Sequence, residues 1–167
     1  MIVDVTKSPN ADSRTADKGH VSFEDFSRAT DMHREDVKEI IYELARRLRE
    51  IADNHDYTKK TEEEDYYNSY IAAKRSGKDF HKSDWYKGHV QKERHHIKYH
   101  VADDINLLDI LEVISDHCCD ELTEKGRVGK MEIDPKVLMK AFNNTVDLVK
   151  GFIRLEDDYD DNYGEDD

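Results

Sequence analysis

The stretch DMHREDVKEIIYELARRLREIA, residues 31–52, places apolar side chains at Val37, Ile40, Ile41, Leu44, Leu48 and Ile51. That spacing follows the 3.6-residue period of a helix buried along one face. Glu35, Asp36, Glu43, Arg46, Arg47 and Glu50 fall mostly on the other side. Thr30 or Asp31 can cap its start, and Asp53-Asn54 is a plausible stop. The same reading continues down the chain. A second helix is expected over about Thr61–Arg75, with Thr61 and Glu64 as a capping box. A third is expected from Ser83 or Asp84 to about His100, and a fourth from about Asp103 to Leu122. Asp134-Pro135 opens a fifth, since proline suits the first helical position. Its stripe runs through Val137, Leu138, Ala141, Phe142, Thr145, Leu148, Val149 and Phe152. No internal repeat and no sustained strand alternation interrupt this pattern. The expected fold is all-α, a compact bundle of about five helices.

Three regions follow. Residues 1–30 read as an N-terminal extended arm, in which Phe23 and Phe26 could anchor a short helical turn. Residues 31–155 form the helical domain. Residues 156–167, EDDYDDNYGEDD, read as an acidic disordered tail. The tail's eight acids account for much of the net charge of −13, and the rest of the chain stands at −5. This balance argues against non-specific nucleic-acid or membrane binding. Charged residues make up 39% and hydrophobic ones 37% of the 167 residues, and the mean hydropathy is −0.95. No apolar run is long enough for a transmembrane helix, and the first residues show no apolar signal region. Cys118 and Cys119 are adjacent, a poor spacing for a disulfide or a zinc site. They suit a reducing, cytoplasmic compartment as small core residues.

The chemistry is concentrated in nine histidines. Each alone has an ordinary reading as a surface or hydrogen-bonded side chain. Together, His33, the adjacent His55-Asp56, His89, His95, His96 and Asp116 lie on several expected helices. Divalent metals take imidazole nitrogens and carboxylate oxygens from several elements at once, and bundles build such sites between facing helices. His89 and His96 are seven apart and share a face if the third helix is unbroken, whereas His95 would point off it. The choice between His95 and His96 stays open. Glu112 and Asp116 share a face at i, i+4. Glu112 suits a ligand, a hydrogen-bond partner of a bound histidine, or a general base.

This order of residues resembles the HD superfamily of metal-dependent phosphohydrolases, which takes its name from an adjacent His-Asp pair. It is closer still to a small group of HD-like proteins common in bacteriophages. The matching pieces are HDYTK (55–59), Trp85-x3-His89-x5-His95-His96 and Glu112-x3-Asp116, within residues 31–122. Where that group often carries Asn before the paired histidines, this chain has Glu93-Arg94. The resemblance implies an HD-domain-like fold and two bound divalent ions, Mn, Fe, Co or Mg, with Zn as a further candidate. His33, His55, Asp56 and Asp116 would hold one, and Asp56 would bridge to a second on His89 and His95 or His96. It implies a hydrolase acting on a nucleotide or small phosphate ester through a metal-activated water, with Asp56, Lys59 and Glu112 as catalytic residues.

Lys59 suits a phosphate oxygen as a point charge, and Lys60, Arg94 and Lys98 are further candidates. Trp85, Tyr66, Tyr67 and Tyr70 could stack on a base or simply pack. His100 could join the site, while His20, His81 and His117 read as surface or supporting groups. Two other functions compete: an HD-type di-iron oxygenase, and a non-catalytic phage or host interaction protein stabilised by metal. The expected partner is a small phosphorylated molecule, and a homodimer is possible.

Overall fold

The computed structural model describes residues 1–6 and 22–156. Its elements are β1 (Val3–Thr6), α1 (Phe23–Asp53), α2 (Tyr57–Thr61), α3 (Glu63–Ser76), a 3-10 turn (Phe80–Lys82), α4 (Asp84–Lys92), α5 (Leu107–Lys125), α6 (Pro135–Phe152) and β2 (Ile153–Glu156). The chain is all-α, as expected. None of the described helices is long and apolar enough to cross a membrane. The chain divides into two compact units, Met1–Arg46 with Asp147–Asp167, and Arg47–Val146.

In the first unit, β1 and β2 pair in parallel, with Val3 opposite Ile153 and Val5 opposite Leu155. Val3 and Phe152 are buried, and Arg154 Nε donates to Asp4 Oδ1 at 2.8 Å across the ladder. The arm expected over 1–30 therefore contains a strand. Residues 7–21, with His20, and the tail beyond 156 lie outside the described residues.

The expected helical turn at Phe23 is the beginning of α1, which starts eight residues before Asp31. Phe23 and Phe26 are exposed there rather than buried as an anchor. Glu43, placed by its spacing on the polar side, is instead fully buried, while Val37 and Ile41 are exposed. Arg46 makes this possible. Its Nε and Nη2 donate to the two Glu43 oxygens at 2.8 and 2.7 Å, and the Met1 amino group donates at 3.3 Å. The Arg46 hydrogen bonds hold the Glu43 carboxyl down at about 2, against an ordinary value near 4.5. A depressed pKa stabilises the fold above the unfolded value, and that stability drains away between about pH 4.5 and 2. Glu43→Gln is expected to melt lower than the parent at pH 7, and the gap should close as pH falls through that window. A gap unchanged down to pH 2.5 would contradict this assignment.

The second unit gathers around Ile105, Ile110 and Ala141, with Ile97, Val101, Leu107, Ile133 and Val137 packed against them. Its helix starts are well capped. Asn106 and Asp109 form a reciprocal capping box at α5, and Thr145 Oγ1 of α6 accepts the Leu107 N–H at 2.8 Å. At α6, Asp134 accepts the Lys136 N–H beside Pro135. Arg94 is committed here rather than to a phosphate. It grips both oxygens of buried Asp109 at 2.7 and 2.8 Å and reaches Asp104 at 2.9 Å.

Two helix boundaries differ from the expected ones in ways that shape the site. The second helix begins at Glu63 behind the separate turn of α2, and Thr61 does not cap it. The third stops at Lys92, eight residues early. Buried Glu93 turns inward to accept from the Thr58 backbone N–H at 2.8 Å. Residues 93–106 then run as turns and loop to α5.

Candidate metal centre

Asp56 sits at the turn between α1 and α2 with φ 55° and ψ 31°. It is the only non-glycine among the described residues with a left-handed backbone. Aspartate tolerates that conformation better than most residues. The turn brings its carboxylate against three histidines. Oδ1 lies 3.4 Å from His89 Nε2 and 3.6 Å from His95 Nε2, and Oδ2 lies 3.6 Å from His55 Nε2. Lys59, one turn along α2, pairs with Oδ2. Burial raises the Asp56 pKa, but Lys59 outweighs it and the net direction is down. Oδ1 is buried and accepts no hydrogen bond.

The early end of α4 decides which histidine faces this carboxylate. On an unbroken helix His95 would point away, but the chain has already left the helix. His95 is buried, and its ring centroid lies 4.2 Å from that of His96 and 4.5 Å from that of His55. His96 Nε2 is 2.8 Å from His89 Nε2. Both His95 and His96 therefore face the site. Asp116 Oδ1 reaches to 3.5 Å from His55 Nε2.

The far nitrogens of these rings are fixed by acceptors. His55 Nδ1 and His95 Nδ1 lie 2.9 and 3.1 Å from the same Glu112 oxygen. Burial raises the Glu112 pKa, but these histidines lower it on balance, so an ionised carboxylate can only accept. Each Nδ1 carries the proton, and each Nε2 lone pair turns toward Asp56. His89 is held in the same sense by a relay. Thr58 Oγ1 donates to Glu93 Oε1 at 2.5 Å and lies 2.6 Å from His89 Nδ1, which donates to it. Trp85 stacks on the His89 ring at 5.1 Å and 12°.

Electrostatics favour the neutral form of His89 and His96. Burial, and then the neighbouring His95 and His89 rings, push His96 down to about 4, so it is neutral at pH 7. Burial also lowers His89. Burial pulls His95 down too, yet the Glu112 hydrogen bond and the nearby carboxylates raise it on balance. Two groups have ligand atoms within 4.8 Å of one another: Asp56, His89, His95 and His96, and then His55, His95 and Asp116. An unpartnered carboxylate oxygen facing several imidazole nitrogens is a donor set that fits a divalent cation.

His33 lies in the first unit, exposed on α1. Lys60 pairs with Glu63, His81 with Asp79, and His100 is exposed. Cys119 is exposed and Cys118 only partly covered, so neither is the core residue expected. Tyr66 and Phe80 each stack on Trp85, and Tyr67 is exposed.

Sequence reading assigned Thr58 and Glu93 no role in the site, although Glu93 marks a departure from the similar group. Glu93 stands four residues after His89, the helical spacing that could have marked it. Thr58→Val is expected to weaken metal binding by roughly 10–100-fold, the usual effect of losing an outer partner of a ligating histidine. Isothermal titration with Mn2+ would measure it, and unchanged affinity would remove the relay from the site.

No curated protein and no solved structure matches the chain. Over residues 22–143 the sequence matches the family of unknown function DUF5662, and the chain belongs to that family.

Proposed function

We propose that the chain is a metal-dependent phosphohydrolase of HD type, acting on a nucleotide or another small phosphate ester. The observation that carries this reading is the convergence of the His55, His89 and His95 Nε2 atoms on Asp56, each ring locked by a partner on its other nitrogen. Asp56, His89, His95 and His96 would hold one divalent ion. His55 and Asp116 would contribute to a second, with an oxygen of Asp56 facing each group. The nitrogen-rich set suits Mn, Fe, Co or Zn better than Mg. Such ions, when bound, polarise a phosphate oxygen and make water acidic enough to supply hydroxide near neutral pH.

The protein's own groups divide the remaining work. Glu112 keeps two imidazoles in the ligating tautomer, and the Thr58–Glu93 relay does so for a third. Lys59 is raised on balance by Asp56 against the effect of burial, so it remains charged beside the carboxylate. With a substrate bound it would meet a phosphate oxygen as a compact charge.

The test is elemental analysis of untagged protein, followed by turnover of nucleotides and p-nitrophenyl phosphate after reconstitution. Roughly two equivalents of metal and metal-dependent phosphate release are expected. No metal after reconstitution would defeat the reading. Iron with oxygen uptake and no ester hydrolysis would replace it with a di-iron oxygenase.

A further inference from the structure

On one side of the second unit, α5 and α6 form a layer of two antiparallel helices. The Leu107 N–H at the start of α5 meets Thr145, late in α6. Asn144 Nδ2 donates to the Ile105 carbonyl at 2.8 Å. At the other end of α6, Ile133 and Val137 pack on the core of Ile110 and Ala141. Asp116 and Asp120 of α5 line the clefts beside the candidate metal centre. On the opposite flank of α5, Leu111, Ile114, Cys118 and Leu122 follow the helical period. On α6, Leu138, Phe142 and Val146 form a second row at i, i+4 and i+8. Leu111 follows Ile110, and Phe142 follows Ala141, by about 100° of rotation. In antiparallel neighbours that share those core residues, equal rotations turn both rows to the same side.

The Leu, Ile, Phe and Val side chains of these rows are 40–58% exposed. Ser115 and Cys119 widen the α5 row, and Met139 and Asn143 widen that of α6. None of these residues is charged, although 39% of the chain is. Ser115 Oγ already donates to the Leu111 carbonyl at 2.8 Å, so covering it strands no donor. The large apolar side chains present on the order of 700 Å² to solvent. That exceeds the roughly 300–600 Å² of the largest patch on a typical monomer, and it approaches the ~800 Å² each partner gives a stable interface.

The rest of the chain supplies no cover. Residues 7–21 hold Val21 as their one branched aliphatic residue, and 157–167 hold Tyr159 and Tyr163 as their only large apolar ones. An uncharged face gives no hold to nucleic acid or an anionic lipid surface. It does complement itself. A two-fold axis along the groove between the helices lays α5 of each copy on α6 of the other. The row with small Ser115, Cys118 and Cys119 then meets the row with bulky Met139 and Phe142.

We propose that this α5–α6 face is the interface of a two-fold symmetric homodimer, which leaves the clefts of both copies open. The proposal does not depend on the hydrolase reading. Each copy carries a net charge of −13, so association works against like charge and is tightened by salt.

The experiment is sedimentation equilibrium of the full chain at about 50 μM, above the micromolar end of affinities for interfaces of this size. A mass of twice 19.6 kDa is expected, with Kd falling as NaCl rises. Leu111→Glu and Phe142→Lys should each raise Kd at least tenfold and keep the parent's helical circular dichroism. Mixed together, they should recover a dimer, because the introduced charges are opposite and face each other. Met139→Asp, at the most exposed position of the α6 row, repeats the test if either variant loses its helical spectrum. A parent mass of 19.6 kDa at every salt concentration, or a dimer that no variant weakens, would overturn the proposal. Weakened variants that do not recover on mixing would overturn the pairing of α5 with α6, and the proposal with it.

Discussion

Asp56→Ala is expected to strip the protein of bound metal and to lower ester turnover by far more than the roughly 10–100-fold seen when an outer partner of a ligand is removed. The carboxylate faces three imidazole nitrogens with its two oxygens, so its loss takes a ligand from the first group and the oxygen that faces His55 of the second. Alanine carries a second penalty. At φ 55° a residue other than Gly, Asn or Asp strains the turn by roughly 1–2 kcal/mol. Asp56→Asn separates the two effects, because it keeps the backbone preference and the shape but removes the charge. Both variants should lose metal by elemental analysis, and only the alanine variant should melt lower for reasons of strain. Removal of residues 157–167 should leave metal content at the parent level. Full metal content in Asp56→Asn would mean that the cluster is held for another purpose.

Arg94→Met is expected to cost about 2–4 kcal/mol of stability, since removing one partner of a buried pair strands the other charge. Asp109 is 1% exposed and the guanidinium 38%, which places the effect below that of a wholly buried pair. In a chain of this size the melting temperature should fall by roughly 5–15 °C. Asp109 also accepts the Asn106 N–H at 2.8 Å, so the start of α5 should loosen first. The double variant Arg94→Met/Asp109→Asn should recover part of the loss, because the stranded carboxylate is then gone. A drop of under about 2 °C in the single variant would show that Asp109 is solvated well enough without its partner.

These two residues also mark what could and could not be read from the sequence. The helical class and the Asp134-Pro135 start of α6 followed from period and capping, and the proximity of His55-Asp56 to the later histidines was implied by the resemblance to the HD superfamily. The end of α4 did not. Residues 91–100 contain no Gly or Pro to stop a helix. What stops it is tertiary: Glu93 is drawn to the Thr58 N–H and Arg94 to Asp109, fifteen residues away. That break turns His95 into the site, where helical geometry alone would have pointed it out. Glu43 was hidden for a related reason, since burial of a carboxylate depends on Arg46 and the Met1 amine folding over it. The strands were too short to show a period, and their partners are 150 residues apart.

That separation orders events at the ribosome. Val3–Thr6 is made about 150 residues before its only described strand partner, Ile153–Glu156. At ordinary synthesis rates β1 waits on the order of ten seconds or more with an open edge. Arg47–Val146, which carries the candidate metal centre, is continuous in sequence, so all of its residues are available before β1 can pair.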